Sequence, residues 1–217
     1  METKKIKEVL EILGKKYPSH SMTTLNRMRD KPDAFMILIS CLLSLRARDE
    51  NTEIVTKNLF EEIKTPEELV KLDRIKVEKL IFSSGHYRKK AEAIQHVSKE
   101  LIEKFNSKVP NTYEELISIK HIGPKTANIV LAFAFNKQVI PVDIHCHRIP
   151  NRIGWVKTKT PEETQKELER IIPKENWQEF NAVFVQFGRD ICNPISPKCS
   201  ICPIEKYCRK INVKKSR

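Results

Sequence analysis

The chain has 217 residues and a mass of 25.3 kDa, which is enough to bury a hydrophobic core without disulfide support. Its formal net charge of +12 makes a polyanion the expected partner, although a basic surface that is merely solvated is also common. Because residues 1–10 contain no continuous apolar run and the longest nearly apolar run, 34–45, is too short to span a bilayer, we expect a cytosolic protein without membrane contact.

The apolar pattern along the chain is helical. Thr65–Glu68 and Thr160–Glu163 each combine an N-cap threonine, a proline at the first helical position and a capping-box glutamate. Thr112 with Glu115 indicates a third helix start, and the apolar residues of 91–105 recur at three-to-four spacing. With only five glycines and no period-two alternation, the sequence predicts an all-α fold of roughly nine or ten helices.

One helix junction, within residues 116–130, has the features of an anion site. A helical segment stops, the chain turns through Ile122, Gly123 and Pro124, and a second helix begins. The new helix exposes its first amide groups and the positive end of its dipole, which suit a phosphate. Lys125 lies in that first turn, where neighbouring positive charge favours a neutral, nucleophilic amine. If its position is ignored, Lys125 is an ordinary surface lysine.

The C-terminal part of the chain contains a cysteine cluster. Its members are Cys192, Cys199, Cys202 and Cys208. In a reducing cytosol such a cluster indicates a metal site rather than disulfides. A single Cys-x2-Cys flanked by lone cysteines differs from the paired short spacings of most zinc sites, so the spacing favours a [4Fe-4S] cluster over zinc, with a disulfide pair third. Cys41 and Cys146 are predicted to be core residues outside the cluster.

Several motifs together resemble one family. The junction resembles the helix-hairpin-helix of the endonuclease III family of DNA repair glycosylases. Residues 42–49, 85–91 and 142–152 are similar to further segments of that family and follow in its order. The spacing of the four cysteines is the family's [4Fe-4S] pattern, and the resemblance covers nearly the whole chain.

The resemblance implies an enzyme that excises oxidised pyrimidines from damaged double-stranded DNA and then nicks the strand by β-elimination. Such an enzyme must flip the damaged base out of the duplex. Lys125 is then the nucleophile that attacks C1′ and forms a Schiff base. Asp143 is the carboxylate that stabilises positive charge at the sugar and helps to activate the lysine. For Asp143 the plainer interpretation is a helix N-cap, and the two roles are compatible.

The resemblance also implies how the chain is organised. Residues 27–137 form a six-helix lobe, while 1–26 and 138–217 form a second helical lobe with the cluster loop at 192–208. A monomer is expected. The residues expected to contact DNA are Arg46, Ile122, Gly123, Pro124, Thr126 and Lys198.

The sequence departs from the family pattern at two of these places. His121 stands where the family's hairpin usually has glycine, and Arg46 stands where many relatives have glutamine. Arginine at that position could still fill the gap left by a flipped base and bond to the partner base. As a plainer alternative, Arg46 is an arginine on a helix surface.

Two other functions are compatible with parts of this pattern. One is a glycosylase of the same superfamily that removes a mismatched base without cutting the strand; such relatives generally lack a lysine at the position of Lys125. The other is a non-catalytic helix-hairpin-helix module that uses a metal-bound basic loop to hold DNA.

Overall fold

The computed structural model describes residues 3–18, 25, 28, 32–45, 47 and 49–217. Over these residues the fold is helical and contains no strand, which confirms the predicted all-α class. In chain order the helices are α1 (Thr3–Lys16), α2 (Ala34–Ser44), α3 (Asp49–Glu62), α4 (Pro66–Lys71), α5 (Arg74–Leu80), α6 (Tyr87–Phe105), α7 (Tyr113–Ser118), α8 (Pro124–Ala134), α9 (Ile144–Ile153), α10 (Pro161–Ile171) and α11 (Trp177–Asp190). The described part thus has eleven helices, against the nine or ten predicted. The excess comes from short helices, since α4, α5 and α7 have only six or seven residues each.

The three predicted helix starts are confirmed by their cap hydrogen bonds. The Thr65 hydroxyl accepts the Glu68 backbone N–H at 3.2 Å, and the Glu68 carboxylate completes a capping box. Thr112 and Thr160 cap α7 and α10 in the same way, each accepting an N–H three residues ahead. These local bonds fix where the short helices begin, since four N–H groups at each helix start have no intrahelical partner.

The chain divides into two compact units, Met1–Met22 with Gln138–Arg217 and Thr23–Lys137. The first unit contains α1 and α9–α11 together with the cysteine loop, and the second contains α2–α8. The lobe boundary predicted at residues 26 and 27 lies outside the described residues. Every helix in the described segments is too short or too polar to traverse a bilayer.

The core of the first unit is built around aromatic side chains of α11. Phe180 and Phe184 stack with their ring centroids 4.0 Å apart, and Trp155 packs against Phe184. The Tyr17 hydroxyl, just after α1, donates to the Asp190 carboxylate at 2.6 Å. This core includes Cys146, which is fully buried as predicted.

The second unit contains a buried lysine that joins two helix ends. The Lys90 ammonium donates to the carbonyl oxygens of Leu43 at 2.8 Å and Ser84 at 2.7 Å, and to the Ser84 hydroxyl at 2.7 Å. Burial lowers the pKa of Lys90 to about 8. These bonds fix the last turn of α2 against the start of α6. Cys41, also in α2, is buried as predicted.

Candidate functional site

The junction between α7 and α8 is the predicted hairpin. The Ile119 carbonyl accepts the Ile122 N–H at 3.1 Å, and the buried Ile122 side chain anchors the turn. Gly123 is the N-cap of α8 in an extended conformation, with φ of −97°, and Pro124 occupies the first turn. No side chain caps this end of α8, and Gly123 and Pro124 are exposed. Amide groups at such an end can bind an anion.

His121 occupies the one position in this turn that needs a left-handed backbone. Its φ of 76° is easy for glycine and costs another residue on the order of 1 to 2 kcal/mol. The His121 ring lies edge-on to the His96 ring, with centroids 5.4 Å apart. The buried Glu100 carboxylate accepts the N–H of the neighbouring Lys120 at 3.2 Å. These contacts explain how a histidine is held where the family usually has glycine.

Lys125 is exposed on the first turn of α8, while its neighbour Thr126 is buried. Behind the turn lies the buried thiol of Cys41, and burial raises the pKa of Cys41 to about 12 despite the opposing positive charge of Lys125. Because the Thr126 and Ile122 side chains face the core, any contact that they make with DNA must use the backbone.

Asp143 is the N-cap of α9. Its Oδ1 accepts the backbone N–H groups of His145 and Cys146, each at 2.9 Å. The residue is 8% exposed, and the next side chain, Ile144, is 70% exposed. The cap interpretation of Asp143 is therefore confirmed, and the cap holds the carboxylate in a fixed orientation at the start of the helix.

Two arginines on α9 bind the segment that contains the first cysteine of the loop. One Arg148 nitrogen donates to the Cys192 carbonyl at 2.8 Å and lies 3.1 Å from His145 Nδ1. The Arg152 guanidinium donates to Cys192 Sγ at 3.2 Å and to the Asn193 carbonyl at 2.8 Å. Thus α9 has Asp143 at its start and the cysteine loop along its side. The sequence showed both arginines within 142–152, but not their partners.

Gly188 of α11 permits a close approach by α9. A Cβ at this position would lie 2.2 Å from His145 Nδ1 and 3.1 Å from His145 Cβ. The second distance involves the root of the histidine side chain, so even after a change of rotamer the backbone of α9 would have to shift slightly. Glycine at position 188 therefore allows His145 to keep its observed place and rotamer.

The four cysteines of the loop line one pocket, together with Arg152 and Lys198. No disulfide joins any of the chain's six cysteines, all of which are described. Burial and the neighbouring cysteines raise the pKa of Cys202 to about 11, and the same causes raise the pKa of Cys208. The Lys210 N–H donates to Cys208 Sγ at 3.3 Å. Within the described residues, no group of three or more His, Cys, Asp or Glu side chains could hold a metal ion as placed.

The remaining predicted DNA contacts are Lys198 and Arg46. Lys198 Nζ lies 3.8 Å from an Asp190 carboxylate oxygen, and its side chain remains partly exposed. Arg46 lies outside the described residues.

Comparisons with known proteins agree with one another. Residues 39–174 match the HhH-GPD superfamily of base excision DNA repair proteins. The chain is 44% identical over 203 residues to endonuclease III of Thermotoga maritima, covering 94% of this chain and 92% of the relative. It is 34% identical to endonuclease III of Bacillus subtilis over 211 residues, covering 97% of this chain and 94% of that one.

Solved structures give the same result. A trapped covalent intermediate of an endonuclease III with DNA superimposes with a TM-score of 0.85 at 34% identity, covering 97% of each chain. A thermostable thymine-DNA glycosylase gives a TM-score of 0.84, but at 22% identity this likeness shows the fold alone.

The contact between Gly188 and His145 generates a stability prediction. Gly188→Ala should destabilise the protein by about 1 to 3 kcal/mol, because the added methyl group overlaps His145. Gly14→Ala is a matched control, since Gly14 also lies in a helix of the first unit but has open space around its Cα. We expect it to stabilise the protein by about 0.5 to 1 kcal/mol. Chemical denaturation of both variants measures the difference, and equal free energies of unfolding would contradict the close contact.

Proposed function

The chain belongs to the endonuclease III family within the HhH-GPD superfamily of base excision DNA repair proteins, enzymes that act as DNA glycosylases and abasic-site lyases, and we propose that Lys125 and Asp143 carry out its two reactions. The observation that carries this proposal is the exposed Lys125 amine in the first turn of a helix that no side chain caps. We further propose that the substrates are oxidised pyrimidines in duplex DNA.

In this proposal the Lys125 amine attacks C1′ of the damaged nucleotide. A bond forms between Nζ and C1′ while the bond between C1′ and the base nitrogen breaks, and the base leaves with a proton. Opening of the sugar ring gives an imine. Loss of a proton from C2′ then expels the 3′ phosphate, which nicks the strand, and water releases the lysine. The same amine therefore serves both the glycosylase and the lyase steps.

Asp143 is assigned the electrostatic part of base excision. Positive charge develops at the sugar as the glycosidic bond breaks, and a carboxylate fixed nearby stabilises that charge. The two backbone hydrogen bonds to Oδ1 support this role, because they orient the carboxylate before the reaction begins.

The hairpin is assigned to the DNA backbone. Uncapped amides at the start of α8, with exposed Gly123 and Pro124, are suited to a phosphate near the damaged nucleotide. Ile122 and Thr126 support the turn from the buried side, and Lys198 adds positive charge at the cysteine loop. We infer that Arg46 enters the gap left by the flipped base, on the resemblance alone.

We propose that the four loop cysteines hold a [4Fe-4S] cluster. They fit this group because they line a common pocket and receive N–H donors from Arg152 and Lys210, and each thiolate of such a cluster binds a different iron. When bound, the cluster would be held by the four thiolates and would cross-link the loop. Among the chain's own residues, Arg152 connects the loop to α9 through its hydrogen bonds to Cys192 and Asn193. We also infer that the protein acts as a monomer in the cytoplasm. In that compartment thiols stay reduced.

Borohydride trapping tests the role of Lys125. Wild-type protein incubated with a thymine glycol or abasic duplex and reductant should form a covalent adduct, because the imine is reduced to a stable amine. Lys125→Ala should form none. Lys137→Ala, an exposed lysine just beyond the same helix, should trap normally. Absence of an adduct with the wild type on every substrate would rule out the lysine mechanism.

Asp143→Asn separates electrostatics from capping. Asparagine is as good an N-cap as aspartate, so the variant should fold and bind DNA normally. Base excision should fall by about a hundredfold or more, because the negative charge is lost. Single-turnover assays on a lesion duplex measure the rate. Excision close to that of the wild type would remove Asp143 from the mechanism.

Cys202→Ser tests the cluster. The wild type should contain about four iron atoms per chain with matching sulfide, while the variant should lose iron, thermal stability and DNA affinity. Cys41→Ala, which removes a buried cysteine of the other unit, should retain the iron. Metal analysis and visible absorbance measure the content. Stoichiometric zinc in the wild type, or full iron in Cys202→Ser, would refute the assignment.

A further inference from the structure

A basic pocket in the second unit has no role in the chemistry described above. It lies between the end of α2, the start of α6 and the hairpin turn. Its lining residues are Leu42, Leu45, His86, Lys89, Lys90, Ala93 and His121. Four of the seven are basic, three are apolar and none is acidic, so the pocket suits an anion more than a cation. We call it the histidine pocket.

Both histidines of the pocket have left-handed backbones. His86, the N-cap of α6, has a φ of 50°, and His121 in the hairpin has a φ of 76°. Such conformations are costly for histidine, and strained residues concentrate at functional sites. Both residues are mostly exposed, so burial of their rings offsets little of this cost in the free protein.

The two lysines of the pocket differ in what they can offer. The Lys90 ammonium already donates to Leu43 and Ser84, so it contributes positive charge rather than a hydrogen bond. Lys89 is exposed and can reach a ligand. Lys89 and the two imidazoles are therefore the pocket's candidate donors to a ligand.

The groups around His121 favour its neutral form. Burial lowers the pKa of His121, and so do the nearby His96 and Lys120, while Glu92 and Glu100 oppose them. Glu100 is already engaged by His96 at 2.9 Å and by Lys104 at 2.6 Å. Among the described residues that line the pocket, the other charged groups are Lys89 and Lys90, whose positive charges also disfavour a proton on His121. An anion bound in the pocket would instead favour the protonated form of His121.

We propose that the histidine pocket binds a backbone phosphate of the DNA and that His121 takes up a proton when it does. The proposal rests on the proposed function, since it presumes a DNA substrate. A phosphate beside the ring raises the pKa of His121 in the complex above its value in the free protein. Between these two values DNA affinity rises as pH falls, by at most about tenfold per pH unit for one proton. The imidazolium and Lys89 then both donate to the phosphate.

Calorimetry in buffers of different ionisation enthalpy measures the proton uptake directly. The ligand is a duplex with a non-cleavable abasic analogue, titrated at several values from about pH 6 to pH 8, which span the histidine range. Wild-type protein should take up a measurable fraction of a proton, and its affinity should increase several-fold toward the lower pH.

Three variants make the test specific. His121→Gly should abolish most of the uptake while keeping the turn, because glycine prefers the left-handed backbone. His86→Asn, which also tolerates that backbone, should weaken DNA binding by removing a donor from the pocket. Lys108→Gln removes an exposed positive charge of the same unit that is not among the groups acting on His121, so it should leave the uptake unchanged.

Two results would overturn the proposal. One is wild-type binding without proton uptake, or uptake that His121→Gly retains. The other concerns inorganic phosphate as the ligand. If phosphate causes the same proton uptake whether or not the duplex is already bound, the pocket lies away from the DNA. Borohydride trapping is independent of both results, so failure of the pocket is distinguishable from failure of the glycosylase and lyase assignment.

Discussion

The first unit depends on how one helix start is fixed. Asp143 caps α9 through two hydrogen bonds of 2.9 Å to successive amides, and this sets the direction of its carboxylate. The close approach of this helix start to α11 is helped by glycine at position 188, where an added Cβ would overlap the His145 ring. Farther along, Arg152 binds α9 to the cysteine loop. The glycine contact, the Asp143 cap and the arginine bonds to the loop thus all fix the helix that begins at Asp143.

In the proposed enzyme, this arrangement would give the cysteine loop a positioning role that needs no contact with the substrate. The Cys192 carbonyl receives Arg148, and the Cys192 sulfur receives Arg152. Both arginines lie on the helix that begins at Asp143. Each arginine is anchored on α9 and hydrogen-bonded to the loop. If the loop loses its conformation, α9 loses these hydrogen bonds. Groups behind a metal ligand commonly have this effect on the site that they support.

What the sequence predicts well is local. The Thr65 and Thr160 caps follow from a few consecutive residues, because an N-cap bond spans only three positions. The hairpin is visible for the same reason. The partners of Arg148 and Arg152 are not predictable this way, since they lie about 40 residues along the chain and depend on tertiary packing. The resemblance marked His121 as a departure, but only its positive φ explains why glycine is usual there.

The two lysines discussed for the second unit show why a perturbed pKa is not by itself a sign of catalysis. Burial lowers the pKa of Lys90 to about 8, the kind of shift expected of a nucleophilic amine. Yet its ammonium donates three hydrogen bonds to Leu43 and Ser84 and is shielded from solvent, so no substrate carbon can approach it. Lys125 is exposed at a helix start instead. Accessibility therefore supports Lys125 as the proposed nucleophile, and the altered acidity of Lys90 reflects its structural role.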